Sequence, residues 1–62
     1  MFKMMGFDTV DHEWYTLGNF FTEEAALRQA KKRVDHLKGN HTDDRHQVFI
    51  KRPDGSQYRV IK

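Results

Sequence analysis

The chain contains no cysteine, which excludes a disulfide framework and a cysteine-ligated zinc site, two devices that commonly hold very small domains together. It has a single proline and four glycines, too few for a low-complexity linker or a glycine-rich phosphate loop. No apolar run approaches the roughly 20 residues needed to cross a bilayer, and the opening Met-Phe-Lys-Met-Met-Gly lacks the ~7–15-residue apolar stretch of a secretory signal. These absences predict a cytoplasmic protein with no membrane association. With no internal repeat and no dividing linker, residues 1–62 read as one domain.

Sixty-two residues lie near the lower limit for independent folding, where roughly 60% of the unfolded chain's surface can be buried. Hydrophobic side chains make up 37% of the sequence, and a core of that size typically leaves only ~3–5 kcal/mol of net stability. Association with a partner would add buried surface. The formal net charge is +2, a mild excess rather than the dense positive field of a nucleic-acid arm. His12, His36, His41 and His46 can add further positive charge as the pH falls through about 6.5.

Catalytic chemistry finds little to work with. There is no cysteine nucleophile, nothing in the sequence brings a histidine and an acid to Ser56, and a chain this short has little volume for an enclosed pocket. The segment from His41 to His46 offers two imidazoles, Asp43 and Asp44, but it lacks the helical spacing of zinc-binding histidines and contains Arg45. The sequence therefore predicts a non-catalytic chain with no metal, no cofactor and no small-molecule substrate.

Several regular elements are legible. Residues 2–7 and 13–17 favour strands by their aromatic and apolar content, and Asp8 to His12 supplies a polar turn between them. Thr22 suits a helix N-cap, and Glu23 and Glu24 suit the positive end of the helix dipole. Leu27, Ala30, Val34 and Leu37 recur at spacings of three and four, with Ala26 beside them, which predicts an amphipathic helix over 23–38. Lys38 suits the negative end, and Gly39-Asn40 can take the left-handed conformation that closes a helix.

The last segment is organised by Pro53-Asp54-Gly55. Pro53 and Asp54 suit the central positions of a type I turn, and Gly55 suits the left-handed residue that completes a three-residue hairpin loop. Arg52 then pairs with Ser56, Ile50 with Tyr58 and Val48 with Val60. Phe49, Lys51, Gln57, Arg59 and Ile61 share the opposite face.

The predicted fold is α+β: a two-layer ββαββ domain whose four-stranded antiparallel sheet carries one amphipathic helix on one face. Nothing in the chain can cover the other face. With Tyr15 and Leu17 beneath the helix, alternation turns Trp14 and Thr16 outward beside Phe49, Lys51 and Arg59. Two large aromatics among cations form a contiguous patch of the kind that marks a binding surface. Trp14, Phe49, Lys51 and Arg59 are the candidate partner-binding or nucleic-acid-binding residues. A protein partner or a second copy of the chain, forming a homodimer, is the first expectation. Nucleic acid is the alternative, with rings stacking on bases while Lys51 and Arg59 meet phosphates. Arg28, Lys31 and Lys32 form a secondary basic surface on the outer side of the helix, where solvated cations are ordinary and Glu24 stands four residues before Arg28.

The stretch Trp14-Tyr15-Thr16-Leu17-Gly18-Asn19-Phe20-Phe21-Thr22-Glu23-Glu24-Ala25-Ala26 resembles the strand-to-helix junction of AP2-type DNA-binding domains and of the arm-binding domains of phage integrases. The similarity extends from Trp14 to Ala30 with one residue deleted before Glu23. It implies a sheet that lies in the major groove and reads DNA with arginines and aromatics. Here the upstream strand has Lys3 as its only cation, with Asp8, Asp11 and Glu13 close by. The overall layout is also similar to small bacterial domains and to some phage anti-CRISPR proteins that end in an Asp-Gly hairpin. That similarity implies a phage or bacterial accessory or inhibitor protein that acts by docking.

Overall fold

Asp8 starts the first turn chemically: its Oδ1 accepts from the backbone N–H groups of Val10 and Asp11 at 2.9 and 3.2 Å. These bonds hold the carboxyl below its ordinary 3.8, the Asp11 N–H being the largest influence, with Arg45 lowering it further. His12 then takes the left-handed conformation (φ 55°), and the chain returns as the second strand. In this computed structural model, which describes every residue except Asp43 and Lys62, the elements are β1 (Phe2–Asp8), β2 (Glu13–Phe20), α1 (Glu23–Gly39), β3 (His46–Lys51) and β4 (Gln57–Arg59). The four strands form one antiparallel sheet in the order β2-β1-β3-β4. This is the predicted α+β architecture, with the first and third strands in the middle.

β2 runs to Phe20, three residues past the expected end at Leu17. The reason is a β-bulge. Met4 pairs with Gly18 and Met5 with Thr16, leaving Leu17 as the extra residue. Both Leu17 and Phe20 consequently pack on the core, whereas uninterrupted alternation would send Phe20 outward. The insertion lets one strand cover the core at both ends.

The helix begins where the sequence says it should. Thr22 has extended φ and ψ, and its hydroxyl accepts from the Ala25 N–H at 3.2 Å. Its C-terminus differs from expectation. Gly39 stays helical, Asn40 sits at φ −99°, and the left-handed residue is His41 at φ 57°. The Thr42 N–H reaches the Leu37 carbonyl at 2.9 Å and the His41 N–H reaches that of Lys38 at 3.1 Å. This is a Schellman closure displaced beyond the glycine. It caps the carbonyl of Leu37, whose side chain is the last of the apolar stripe to enter the core.

Ala26, Ala30, Val34 and Leu37 of α1 bury against Met4, Val48, Ile50 and Val60, with Phe2, Leu17, Phe20, Leu27 and Tyr58 packed around them. Alanine at the two central helix positions lets α1 lie close to the sheet, and both are fully buried. Because β2 and β3 both run antiparallel to β1, the connection from β2 through α1 enters β3 parallel to β2, with β1 between them.

The C-terminal hairpin adopts the predicted register. Gly55 is at φ 94°, its N–H bonds the Arg52 carbonyl at 3.0 Å, and the Arg52 N–H bonds that of Ser56 at 2.7 Å. Ile50 faces Tyr58, Phe49 faces Arg59, and the Val60 N–H reaches Val48 at 2.8 Å. The Ser56 hydroxyl donates to Asp54 Oδ1 at 2.7 Å, the main influence holding that carboxyl below its usual range. Glu23 of the first helical turn accepts from Tyr58 Oη at 2.8 Å and Arg52 Nε at 3.2 Å, while the Arg52 guanidinium lies over the Tyr58 ring. One carboxylate thus anchors the hairpin to the start of the helix.

Candidate docking face

The sheet surface away from α1 is built from alternate residues of all four strands. Strand pairing arranges them in rows. Asn19, Lys3, Lys51 and Gln57 form one row; Thr16, Met5, Phe49 and Arg59 form the next; Trp14, Phe7 and Gln47 form the third. Polar and cationic groups gather at one end and aromatic rings at the other.

At the aromatic end the rings pack on one another. The Trp14 ring centroid is 4.7 Å from Phe7 at an interplanar angle of 45° and 4.9 Å from Phe49 at 62°. Such tilted and edge-to-face pairs add roughly 0.5–1.5 kcal/mol beyond the area they bury. Trp14 nonetheless remains 47% exposed, while Met5, Phe7 and Phe49 are half-buried. Thr16 extends the patch, its Oγ1 lying 3.5 Å from Met5 Sδ, and Ile61 stands exposed beyond β4.

Tyr15 and Gly6 hold this end of β2 in place from the opposite side. The Tyr15 ring lies directly over Gly6, so closely that a Cβ there would collide with it. Its Oη meets His46 Nδ1 of β3 at 3.1 Å. Tyr15 therefore spans β1 to join β2 with β3, immediately after Trp14 in the chain.

The charges on the face are of one sign. Lys3, Lys51 and Arg59 are exposed, and none makes an ion pair with another described residue. Other arginines are engaged: Arg28 with Glu24 at 3.5 Å, Arg45 with Asp8 at 3.4 Å and Asp11 at 3.8 Å, and Arg52 with Glu23 at 3.2 Å. No carboxylate stands in the three rows.

The candidates Trp14, Phe49, Lys51 and Arg59 are thus brought onto one surface. The secondary basic residues are not part of it. Arg28, Lys31 and Lys32 lie on the outer side of α1, across the molecule from the open sheet. Ser56 is bound within its own turn to Asp54. Of the histidine-rich segment, His46 is engaged by Tyr15 and His41 closes the helix; Asp43 lies outside the described residues. Among the described residues no group of three or more His, Cys, Asp or Glu is placed to hold a metal ion, and no helix is long and apolar enough to cross a membrane.

Sequence reasoning missed Lys3, Met5, Phe7 and Gln47. Both faces of β1 carry apolar side chains, Phe2 and Met4 on one and Met5 and Phe7 on the other, so alternation alone does not say which set is buried. Only the pairing of β1 with β2 and β3 decides it.

No known protein family matches the chain, and no curated protein or solved structure matches it.

Proposed function

We propose that the chain is a non-catalytic binding module that docks a protein partner through the open face of its sheet. The observation that supports this most directly is the half-exposed Trp14 packed on Phe7 and Phe49, with Met5 in the next row, Lys3, Lys51 and Arg59 elsewhere on the same face, and no carboxylate in the rows. An aromatic anchor adjoining charged groups is a usual composition of a binding hot spot. Charge complementarity calls for a partner that is apolar at its centre and acidic at its edge. Pairing with a second copy through the same face would oppose cation to cation, which favours an unlike partner.

Nucleic acid is the second reading, favoured by the same combination of rings, cations and absent acids. The rings pack tilted or edge to face on one another, leaving Trp14 as the most exposed stacking surface, whereas sequence-tolerant strand binders offer several in succession.

The deciding experiment uses Phe49→Ser and Trp14→Ala. A protein partner isolated with the wild-type chain is titrated calorimetrically against each variant. Loss of a hot-spot side chain costs at least about 2 kcal/mol, or about thirtyfold in affinity, with secondary structure preserved. Unchanged affinity in both variants rejects the open face as the docking surface. Saturable quenching of Trp14 by duplex or single-stranded DNA, weakened by salt and by neutralising Lys51 and Arg59, transfers the face to nucleic acid.

A further inference from the structure

The cationic end of the face contains an arrangement that ring docking alone does not explain. Lys3 and Lys51 are direct cross-strand partners, and such pairs have Cβ atoms roughly 4.5–5.5 Å apart. Like charges in that position oppose folding. Their neighbours in the row, Asn19 and Gln57, are neutral amides. A shallow concavity of about 240 Å³ adjoins the pair, lined by Met1, Lys3, Lys51, Arg52, Pro53 and Gly55. Arg52 lines the same concavity, but its guanidinium is engaged by Glu23 over the Tyr58 ring.

We infer that Lys3 and Lys51 form an anion-binding subsite that takes a carboxylate of the docked partner. The inference rests on the docking function proposed above and specifies its chemistry. Ammonium groups are rotatable point charges, so two of them on adjacent strands can converge on the two oxygens of one carboxylate. The bound anion removes the mutual repulsion while making charge-assisted hydrogen bonds. A nucleic-acid backbone repeats its charge along its length and is matched by a track of cations; the row of Trp14, Phe7 and Gln47 has none, and the cations gather at one end.

The register also sets the spacing. From Lys3 to Phe7 is four residues along β1, or roughly 14 Å at about 3.4 Å per residue. A partner in extended conformation would therefore present a Glu or Asp four residues from a bulky apolar side chain.

The test is a titration of the isotope-labelled protein, followed by NMR, with a five-residue peptide bearing Phe first and Glu last, and with its Gln counterpart. The Glu peptide is expected to shift the Lys3 and Lys51 amides saturably and to bind about tenfold more tightly than the Gln peptide, because its carboxylate makes charge-assisted bonds that the neutral amide does not. Lys51→Gln removes that difference and the helix control Lys32→Gln preserves it. Equal binding of the two peptides with Trp14 still perturbed overturns the subsite and leaves the docking face standing. Tighter binding of inorganic phosphate or oligothymidylate at the same amides overturns the carboxylate assignment. A partner-free measurement tests the premise: at low ionic strength Lys51→Gln raises the melting temperature, and an unchanged or lowered value overturns it.

Discussion

Replacing Gly6 with alanine probes how the sheet holds its open face in shape. Gly6 lies on the helix side of β1, paired with Tyr15 of β2 and Val48 of β3. Its backbone is not in the left-handed region, so the effect of a side chain there is steric. A Cβ would enter the space of the Tyr15 ring at Cε2 and Cζ, and that ring cannot swing away without breaking its 3.1 Å contact with His46. Overpacking of this kind costs about 1–3 kcal/mol, against which removing a strand glycine returns about 0.5–1 kcal/mol. Taking the middle of each range, the expected net loss is about 1 kcal/mol, which lowers the melting temperature by roughly 4–8 °C in a domain of this size. Equilibrium urea unfolding followed by Trp14 fluorescence reads both the stability and the environment of the adjacent indole. In a Tyr15→Ala background the clash is absent, and Gly6→Ala should become neutral or slightly stabilising. Equal loss in both backgrounds would refute the steric explanation.

Titration supplies further predictions. Tyr58 has its hydroxyl pushed above the ordinary 10.0, first by burial and then by its bond to Glu23. Its neutral form is favoured in the folded state, so the stability it contributes is present below pH 10 and is lost as the pH rises through the higher folded value. Glu23→Gln should bring tyrosinate absorbance of the native protein in at lower pH; an unmoved curve would mean that burial alone sets it. Asp8 is shifted the other way, below 3.8, so its contribution is present above that pH and disappears as the pH falls through the folded value. Asp8→Asn should flatten the acid limb of the stability curve, and an unchanged acid limb would place that dependence on other carboxylates.

The local elements were legible because each depends on neighbours in sequence. Thr22 with Glu23 and Glu24 starts the helix, the three-and-four spacing of Leu27 to Leu37 selects its buried side, and Pro53-Asp54-Gly55 determines the register of β3 with β4 through a single left-handed residue. That register placed Phe49, Lys51 and Arg59 on one surface, and alternation in β2 added Trp14. The helix ends one residue later than expected and closes at His41 rather than within Gly39-Asn40, because a glycine is the easiest left-handed position locally, whereas the closure at His41 follows from capping Leu37 after it has entered the core.

The hairpin of β1 with β2 was legible; what lay beyond the sequence is where β1 sits in the sheet and which of its faces is buried. Its two faces are almost equally apolar, and its place at the centre of the sheet follows from long-range pairing with β3. That pairing sets Lys3 against Lys51, places Phe49 beside Met5 and lets Tyr15 cross Gly6 to reach His46. Local preference can form a hairpin or a helix within a few residues. Strand order, the bulge at Leu17 and the composition of the open face are decided only when distant segments compete to cover the same core.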